Sequence, residues 1–350
     1  MKKIKILVCA LETSSNLHLK ELKKHLPKHV ELIGIFDKSL GKPNYDISQM
    51  AVMGFVDALK KLPFFLKLKK EMVQLAKKAD KILLMDNSGF NLPLAKDIRK
   101  MYPKKEIIYY ILPQAWAWKK KRIPVIENTC DKLCSILPFE KDYYNLKEKI
   151  SYVGHPLLDE IKVFKTEQTN NNFVAFMPGS RKSEIQKLMP IYKELAKKIP
   201  KKSILIIPSH FSDQYIRATY GDTSNFIISN NTYDSLVNSD FAFICSGTAT
   251  LEAAIIGTPF ILSYIAKPLD YFIAKRFLKL NYIGLANIFF EQMGKDPIHK
   301  EFLQNEVTAL NLYNEYQKLN TKNFLENSKI LRNYLANGSS KNVAKILLNN

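Results

Sequence analysis

Short apolar runs alternate along this chain with longer segments in which apolar residues recur at helical spacing. Strand-length runs between amphipathic helices are typical of parallel βα units, in which helices cover both faces of a sheet. The pattern predicts a first set of strands over residues 4–10, 32–36, 81–86, 107–112, 132–137 and 151–153. The first half of the chain is therefore expected to form one α/β domain.

The pattern restarts after a polar stretch at residues 163–172, which has the composition of a linker and little periodicity. A second set of strands is predicted over residues 173–177, 203–208, 226–228, 241–245 and 260–263, and helix from about Glu301 to the end. We therefore expect two Rossmann-like domains, residues 1–165 and 166–350, with a helical C-terminal segment. In open α/β sheets ligands bind beyond the carboxyl ends of the strands, so the two domains are expected to face a cleft.

The composition changes this picture in one respect, which is charge. Hydrophobic residues make up 46% of the chain and charged residues 25%, as in ordinary globular proteins. The formal net charge is +20, which favours anionic partners such as phosphorylated substrates, anionic lipid surfaces or nucleic acid. No run approaches the roughly 18 to 20 apolar residues that span a bilayer, and the basic N-terminus leads directly into the first strand. Any membrane role is expected to be peripheral.

Cysteine and histidine usage gives no indication of a metal site. The four cysteines lie mostly in apolar segments without paired ligand spacing, and the six histidines are dispersed. We expect buried, reduced thiols. The chain also lacks a Walker phosphate loop and a G-x-G-x-x-G fingerprint, which disfavours nucleoside triphosphatases and dehydrogenases.

Two strand-to-helix turns carry residues suited to phosphate. Gly179, Ser180 and Arg181 follow one predicted strand, and Ser246, Gly247 and Thr248 follow another, with Glu252 inside the next helix. A glycine turn at a helix start presents backbone N–H groups to an anion, and Arg181 adds a cation. Glu252 is placed to accept hydrogen bonds from a ribose. Taken singly, each turn is equally consistent with an ordinary capped helix.

Two carboxylates follow predicted strands of the first domain. Asp86 ends one strand, and Glu12 follows the first strand of the chain. A carboxylate at this edge is suited to act as a general base toward a sugar hydroxyl, and partial burial raises its pKa usefully. An Asx-turn or helix cap is the competing interpretation of Asp86.

A tryptophan-containing segment precedes four consecutive cations. Trp116 and Trp118 lie just before residues 119–122, and residues 56–70 mix large apolar side chains with lysines at near-helical spacing. Such segments bind acyl chains and phosphates, stack on bases or dock on membrane surfaces. Ordinary amphipathic core helices look similar, so a nucleic-acid-binding protein and a membrane-surface enzyme both remain open at this point.

Taken in chain order, these segments resemble the lipid A disaccharide synthases, family 19 of the glycosyltransferases, which have the glycosyltransferase B architecture. The matching segments are residues 12–14, 51–56, 86–91, 113–118, 137–140, 153–156, 178–181, 246–252, 281–287 and 302–304. The resemblance implies inverting transfer of a 2,3-diacylglucosamine unit from UDP to the 6-hydroxyl of 2,3-diacylglucosamine 1-phosphate, without metal or cofactor. It also implies a cytoplasmic enzyme associated with the anionic inner-membrane surface and a homodimer with an exchanged C-terminal segment, and no nucleic acid. Another UDP-sugar transferase of this fold is the alternative.

The resemblance also implies residue roles. Asp86 matches the essential carboxylate, with Glu12 beside it as a second catalytic candidate, and Arg181 matches the essential cation. The UDP side would be formed by the two turns with three further residues, and the acceptor or lipid side by a separate group. The UDP-side residues are Gly179, Ser180, Arg181, Ser246, Gly247, Thr248, Glu252, Asn287 and Gln304; those of the acceptor side are Ser14, Met53 and Trp116.

The chain departs from the family pattern at several of these segments. Leu11, Ser15 and Asn16 stand where the first motif has Gly, Gly and Asp, Gly89 stands for a second Asp, and Ala286 stands for a Pro. These changes leave Asp86 as the carboxylate of its segment. They are consistent with an altered sugar, such as a diamino acceptor with amide-linked chains, or with reduced activity.

Overall fold

The computed structural model describes residues 3–47, 62–167, 170–266, 281–318 and 321–349. The chain divides into two compact units. Unit 1 comprises Met1–Glu160 together with Leu335–Asn350, and unit 2 comprises Ile161–Tyr334. The division falls a few residues before the predicted one, and unit 1 also takes the C-terminal residues.

Unit 1 is built on a parallel sheet with the strand order β3-β2-β1-β4-β5-β6-β7. The two central strands β1 and β4 are apolar and nearly all buried, because helices cover both faces of the sheet. Its strands are β1 Ile4–Ala10, β2 Val30–Phe36, β3 Tyr45–Asp46, β4 Lys81–Met85, β5 Glu106–Tyr110, β6 Lys132–Ser135 and β7 Ile150–Tyr152.

The helices of unit 1 follow strand ends, as βα units require. They are α1 Thr13–Lys23, α2 Leu62–Lys78, α3 Ser88–Met101, α4 Ala115–Trp118, α5 Ile123–Thr129 and α6 Leu157–Glu160. Short 3₁₀ turns occur at Lys38–Leu40, Lys120–Arg122 and Glu140–Tyr143. Buried side chains of α2, α3 and α5 form one apolar core against the sheet. The opposite face packs against α1 and the C-terminal residues.

Unit 2 repeats the design with a parallel sheet in the order β10-β9-β8-β11-β12-β13. Its strands are β8 Phe173–Met177, β9 Lys202–Ile206, β10 Ile227–Ser229, β11 Phe241–Cys245, β12 Phe260–Tyr264 and β13 Lys300–Leu303. Its helices are α7 Lys182–Lys198, α8 Asp213–Tyr220, α9 Thr232–Asn238, α10 Thr248–Ile256, α11 Leu285–Gln292, α12 Ala309–Gln317 and α13 Thr321–Leu335, with a 3₁₀ turn at Gln304–Glu306.

A final helix, α14 (Ser339–Leu348), belongs to unit 1. Val343, Ala344 and Leu347 are buried in the core beneath the first sheet. The start of the helix is held by Asp159, whose carboxylate oxygens accept the backbone N–H groups of Gly338 and Ser340, each at 2.7 Å. A carboxylate at a helix start satisfies otherwise unpaired N–H groups and interacts favourably with the helix dipole.

The prediction of uninterrupted helix from about Glu301 is wrong at its beginning. Lys300–Leu303 form β13, an edge strand that pairs in parallel with β12, and the next helix begins at Ala309. Long-range pairing decides the conformation of such a short segment, because its own periodicity is ambiguous. The four cysteines are free and buried, as the sequence predicted.

Candidate active site

Asp86 occupies a strained turn at the carboxyl end of β4. Asp86 and Asn87 both have positive φ, 51° and 34°, and the chain reverses there from β4 into α3. Such backbone is costly for residues other than glycine and is held by surrounding contacts. The carbonyl oxygen of Asp86 accepts hydrogen bonds from the Tyr109 hydroxyl at 2.6 Å and from Asn91 Nδ2 at 2.9 Å. The scaffold therefore fixes the backbone of Asp86 and leaves its carboxyl group at the sheet edge.

Glu12 faces Asp86 from the end of the neighbouring strand β1. The two carboxyl groups interact directly, and Asn87 Nδ2 donates to Glu12 Oε1 at 3.2 Å. Much of the Glu12 residue is accessible, but protein atoms close around its carboxyl group. This desolvation raises the pKa of Glu12 and of Asp86, and the charge of Asp86 raises the pKa of Glu12 further. The pair therefore titrates as a unit, and both carboxyl groups hold a proton at higher pH than exposed carboxyl groups do.

Asn16 fixes the turn that presents Glu12. Its Nδ2 donates to the carbonyl oxygens of Ala10 at 2.9 Å and Glu12 at 2.8 Å, and its Oδ1 accepts the N–H of Asp37 at 2.7 Å. An ionised aspartate at this position could not donate those two hydrogen bonds. In the sequence, Asn16 is distinguished only as a departure from the family pattern. The sequence signal for this role was a polar amide in the first turn of the helix that follows β1.

The predicted acceptor-side residues are placed differently from one another. Ser14 lies partly exposed in the first turn of α1, next to Glu12. Trp116 is buried in α4, where its ring packs against Phe139 and Tyr143 at centroid distances of 4.9 and 5.8 Å. Met53 lies outside the described residues, as do positions 56–61 of the predicted amphipathic segment. Trp116 therefore belongs to the wall that supports this edge rather than to its surface.

The turn after β8 brings Gly179, Ser180 and Arg181 to the carboxyl edge of the second sheet. Gly179 has φ of 96°, and a Cβ there would lie 2.6 Å from Glu184 Oε2, so the turn requires glycine. Arg181, rather than Ser180, is the N-cap residue of α7. Its N–H donates to Glu184 Oε2 at 3.3 Å and its guanidinium pairs with Glu184 Oε1 at 2.6 Å, which raises the Arg181 pKa. The Arg181 side chain is nonetheless 75% exposed and accessible to an anion.

The turn after β11 lies beside the first, because β11 and β8 are paired neighbours. Gly247 has φ of 146°, and no atom lies within 4 Å of the position a Cβ would take. The Gly247 carbonyl accepts the Thr250 hydroxyl at 2.8 Å, which closes the turn. Ser246 is half-buried, Gly247 and Thr248 are exposed, and Glu252 lies partly exposed one turn into α10. Two open helix starts at adjacent strand ends form one surface rich in N–H and hydroxyl groups.

Asn287 and Gln304, also predicted on the UDP side, occupy different environments. Asn287 is fully buried in α11, and its Nδ2 donates to the His299 carbonyl at 3.0 Å and to Glu301 Oε1 at 2.8 Å. The Glu301 carboxylate also accepts the N–H groups of Ile283 and Gly284, which precede α11. Asn287 thus joins α11 to β13, and Glu301 holds the segment before α11. Gln304 is half-buried just after β13, with φ of 54°.

The described residues contain neither a cluster suited to a metal ion nor a helix suited to cross a bilayer. Across residues 3–47, 62–167, 170–266, 281–318 and 321–349, no group of three or more His, Cys, Asp or Glu side chains is arranged to hold a metal ion. Within the same ranges, no helix combines the length and apolar character needed to cross a bilayer.

Comparison with known proteins gives a consistent result over the whole chain. A family model described as lipid-A-disaccharide synthetase matches residues 6–345. A lipid-A-disaccharide synthase from Campylobacter jejuni subsp. jejuni serotype O:2 is 50% identical over 365 residues, which cover 97% of this chain and 98% of that protein. One from Helicobacter pylori strain Shi470 is 48% identical over 353 residues, covering 97% and 96%.

Solved structures resemble this chain in fold at low identity. A UDP-GlcNAc 2-epimerase from Neisseria meningitidis, bound to UDP-GlcNAc, has a TM-score of 0.63 and 13% identity, with all of both chains covered. MurG from Acinetobacter baumannii has a TM-score of 0.59 and 13% identity, with 98% of each chain covered. Together with the two parallel sheets and the helical C-terminal segment, they confirm the predicted α/β class and glycosyltransferase B architecture.

Proposed function

Because this chain belongs to the lipid-A-disaccharide synthetase family, we propose that it is an inverting, UDP-dependent transferase that joins two acylated glucosamine units. The donor is UDP-2,3-diacylglucosamine. The acceptor is 2,3-diacylglucosamine 1-phosphate, which reacts through its 6-hydroxyl, and the products are the disaccharide 1-phosphate and UDP. Family membership leaves the alternatives of a different UDP-sugar transferase and of a nucleic-acid-binding protein without support.

The two adjacent turns of unit 2 support a binding site for the donor diphosphate. Backbone N–H groups at the starts of α7 and α10 stabilise anionic oxygens, and Arg181 supplies a full positive charge beside them. When the bond between the sugar and the diphosphate breaks, negative charge develops on the leaving oxygen. Groups already oriented toward that oxygen lower the barrier, because they need no rearrangement during the reaction.

The observation that carries the proposal is the carboxyl pair of Glu12 and Asp86. In the proposed step Asp86 takes the proton of the acceptor 6-hydroxyl while that oxygen forms a bond to C1 of the donor sugar. The bond from C1 to the diphosphate oxygen breaks at the same time, and UDP leaves with the electron pair. Attack opposite to the leaving group inverts the configuration at C1. The raised pKa of Asp86 makes it a stronger base than an ordinary exposed aspartate.

The remaining parts of the proposal concern where the enzyme works. Leu62 and Leu66 of α2 are 56% and 48% exposed and share that helix with lysines such as Lys67. An exposed apolar and cationic helix suits the surface of an anionic membrane, to which acylated substrates are confined. We place the enzyme at the cytoplasmic face of the inner membrane and as a homodimer, which vesicle flotation and sedimentation equilibrium measure.

The direct test is UDP release by the purified protein with both lipid substrates, followed by mass spectrometry of the product. We expect UDP and a disaccharide 1-phosphate in equal amounts. The matched control is an acceptor that lacks the 6-hydroxyl but is otherwise identical, which should release no UDP. Absence of UDP with the complete pair of substrates, or equal release with the 6-deoxy acceptor, would overturn the proposed reaction.

A further inference from the structure

A surface groove of about 390 Å³ opens in unit 1 between the first turns of α3 and helix α5. We call it the α3 groove. Its polar side chains are those of Ser88, Lys96, Asp97 and Arg122, and apolar side chains complete its wall. One of these is Pro93, which cannot donate the helical hydrogen bond that the Gly89 carbonyl would otherwise receive. The groove therefore offers cations, a hydroxyl and a backbone acceptor on an apolar floor.

The α3 groove is electropositive. Arg122 donates from Nη1 to the uncharged Ser88 hydroxyl at 2.7 Å, and among the described residues neither Arg122 nor the exposed Lys96 has an ion-pair partner. The carboxylate at the rim, Asp97, is paired instead with Lys69 of α2 at 2.7 Å. Two cations without a neutralising carboxylate attract an anionic ligand, and a guanidinium held by a neighbouring hydroxyl is already oriented for one.

The α3 groove begins next to the carboxyl pair. Ser88, which bonds Arg122, follows Asp86 by two residues, so their Cα atoms lie within about 7.6 Å of each other. In a hexopyranose 1-phosphate, C1 carries the phosphate and C5 carries the CH₂OH group with the 6-hydroxyl, and both carbons are bonded to the ring oxygen. A sugar with its 6-hydroxyl at Asp86 thus carries its phosphate a few bonds away, through C6, C5, the ring oxygen and C1, and that short path is comparable in length with the separation between Asp86 and the start of the groove.

We propose that the α3 groove binds the phosphate group of the acceptor sugar, with Arg122 as its main ligand and Lys96 as a second cation. This inference rests on the proposed function and deepens it, because it assigns the acceptor's 1-phosphate to named residues. The phosphate replaces Ser88 or shares the Arg122 guanidinium with it. The groove selects phosphorylated acceptors and orients the 6-hydroxyl toward Asp86.

The experiment compares two acceptors, the diacylglucosamine 1-phosphate and its 1-O-methyl glycoside, at a saturating donor concentration. The readout is kcat/KM for the 1-phosphate divided by kcat/KM for the methyl glycoside, measured in wild type, Arg122→Gln and Lys96→Gln. Loss of a charge-assisted contact should lower this ratio about 10- to 100-fold for Arg122→Gln and about 3- to 10-fold for Lys96→Gln. Lys100→Gln, an exposed cation one turn further along α3 and outside the groove, is the matched control and should leave the ratio unchanged.

The outcomes separate this inference from the proposed function. If Arg122→Gln and Lys96→Gln slow both acceptors equally, or affect neither, the groove does not bind the phosphate. An equal effect of Lys100→Gln would show a general field effect and would also overturn the inference. If wild type transfers to neither acceptor, the proposed reaction fails, and calorimetry with acyl-free glucosamine 1-phosphate and glucosamine then tests the groove alone. If wild type binds glucosamine 1-phosphate more tightly than glucosamine, and Lys96→Gln reduces this difference, the site is supported. If the two ligands bind equally, or the substitution leaves the difference unchanged, the site is excluded.

Discussion

Replacing Asp86 with asparagine tests the proposed general base with little disturbance of the fold. The backbone of Asp86 has φ of 51°, a conformation that asparagine adopts more readily than most residues. The side chains of Tyr109 and Asn91 bond the main-chain carbonyl of residue 86, so these hydrogen bonds should persist in the variant. Asn cannot take up the proton of the 6-hydroxyl, so kcat should fall about 10²- to 10⁴-fold, equivalent to about 3 to 5 kcal/mol in the barrier.

The same substitution, which should lower kcat, is expected to maintain or increase the stability of the folded protein. Burial raises the pKa of Asp86 in the folded protein above its unfolded value, so the folded state binds more protons between these two pKa values. Stability therefore falls as pH rises through this window, because the ionised carboxylate is disfavoured on folding. Asp86→Asn removes this penalty, and its melting temperature at neutral pH should equal or exceed that of wild type. Below the pKa of an ordinary aspartate the difference should vanish.

The assay is initial-rate UDP release with saturating substrates, together with thermal melting of each protein across pH. Asp142→Asn is the control, because that carboxylate is 82% exposed and pairs with Lys147 rather than with Glu12 or Asp86. It should leave kcat unchanged. If Asp86→Asn is folded and retains kcat within tenfold of wild type, Asp86 is not the base. If the variant is less stable at neutral pH, the argument from burial is wrong.

Three further predictions concern the carboxyl pair, the donor turn and the C-terminal helix. Glu12→Leu removes the hydrogen bond from Glu12 that lowers the pKa of Asp86, so the acid limb of the kcat profile should move to higher pH; an unmoved limb contradicts the coupling. Arg181→Gln should raise KM for the UDP donor about tenfold, whereas the adjacent exposed Lys182→Gln should not, and equal effects would exclude a specific phosphate contact. Asp159→Ala removes the acceptor of two N–H groups and should lower the local free energy of unfolding of α14 by about 1 to 3 kcal/mol. Hydrogen exchange of residues 339–348 measures this, and wild-type protection in the variant would contradict it.

The sequence predicted the elements whose signal is local. Strands β1, β8 and β11 have the predicted bounds, because each is an apolar run, interrupted only by Lys5 in β1, and is buried for most of its length. The edge strands β3 and β13 were not predicted, since their short segments become strands only by pairing with β2 and β12. Likewise, nothing near Asp159 in the sequence indicates that its carboxylate caps a helix 179 residues away.

The same distinction applies to the candidate site. The turns at Gly179 and Gly247 could be predicted, because glycine between a strand and a helix is a local pattern. The hydrogen bonds that hold the site residues in place could not be predicted, since they join segments that are distant in the sequence. Asn16 and Asn287 illustrate this, because Asn16 accepts the N–H of Asp37 and Asn287 donates to Glu301, partners that only the folded chain brings near. The catalytic and binding roles of all these residues stay predictions for the experiments above.

The return of α14 to unit 1 has a consequence for the order in which the protein is made. During translation the N-terminal part of a multidomain chain generally folds first. Here α1 covers part of one face of the first sheet, and Val343, Ala344 and Leu347 cover a further part, which stays exposed until the ribosome has passed residue 347. The unit whose synthesis begins first is thus completed last. Until then the exposed apolar surface of each nascent chain favours aggregation.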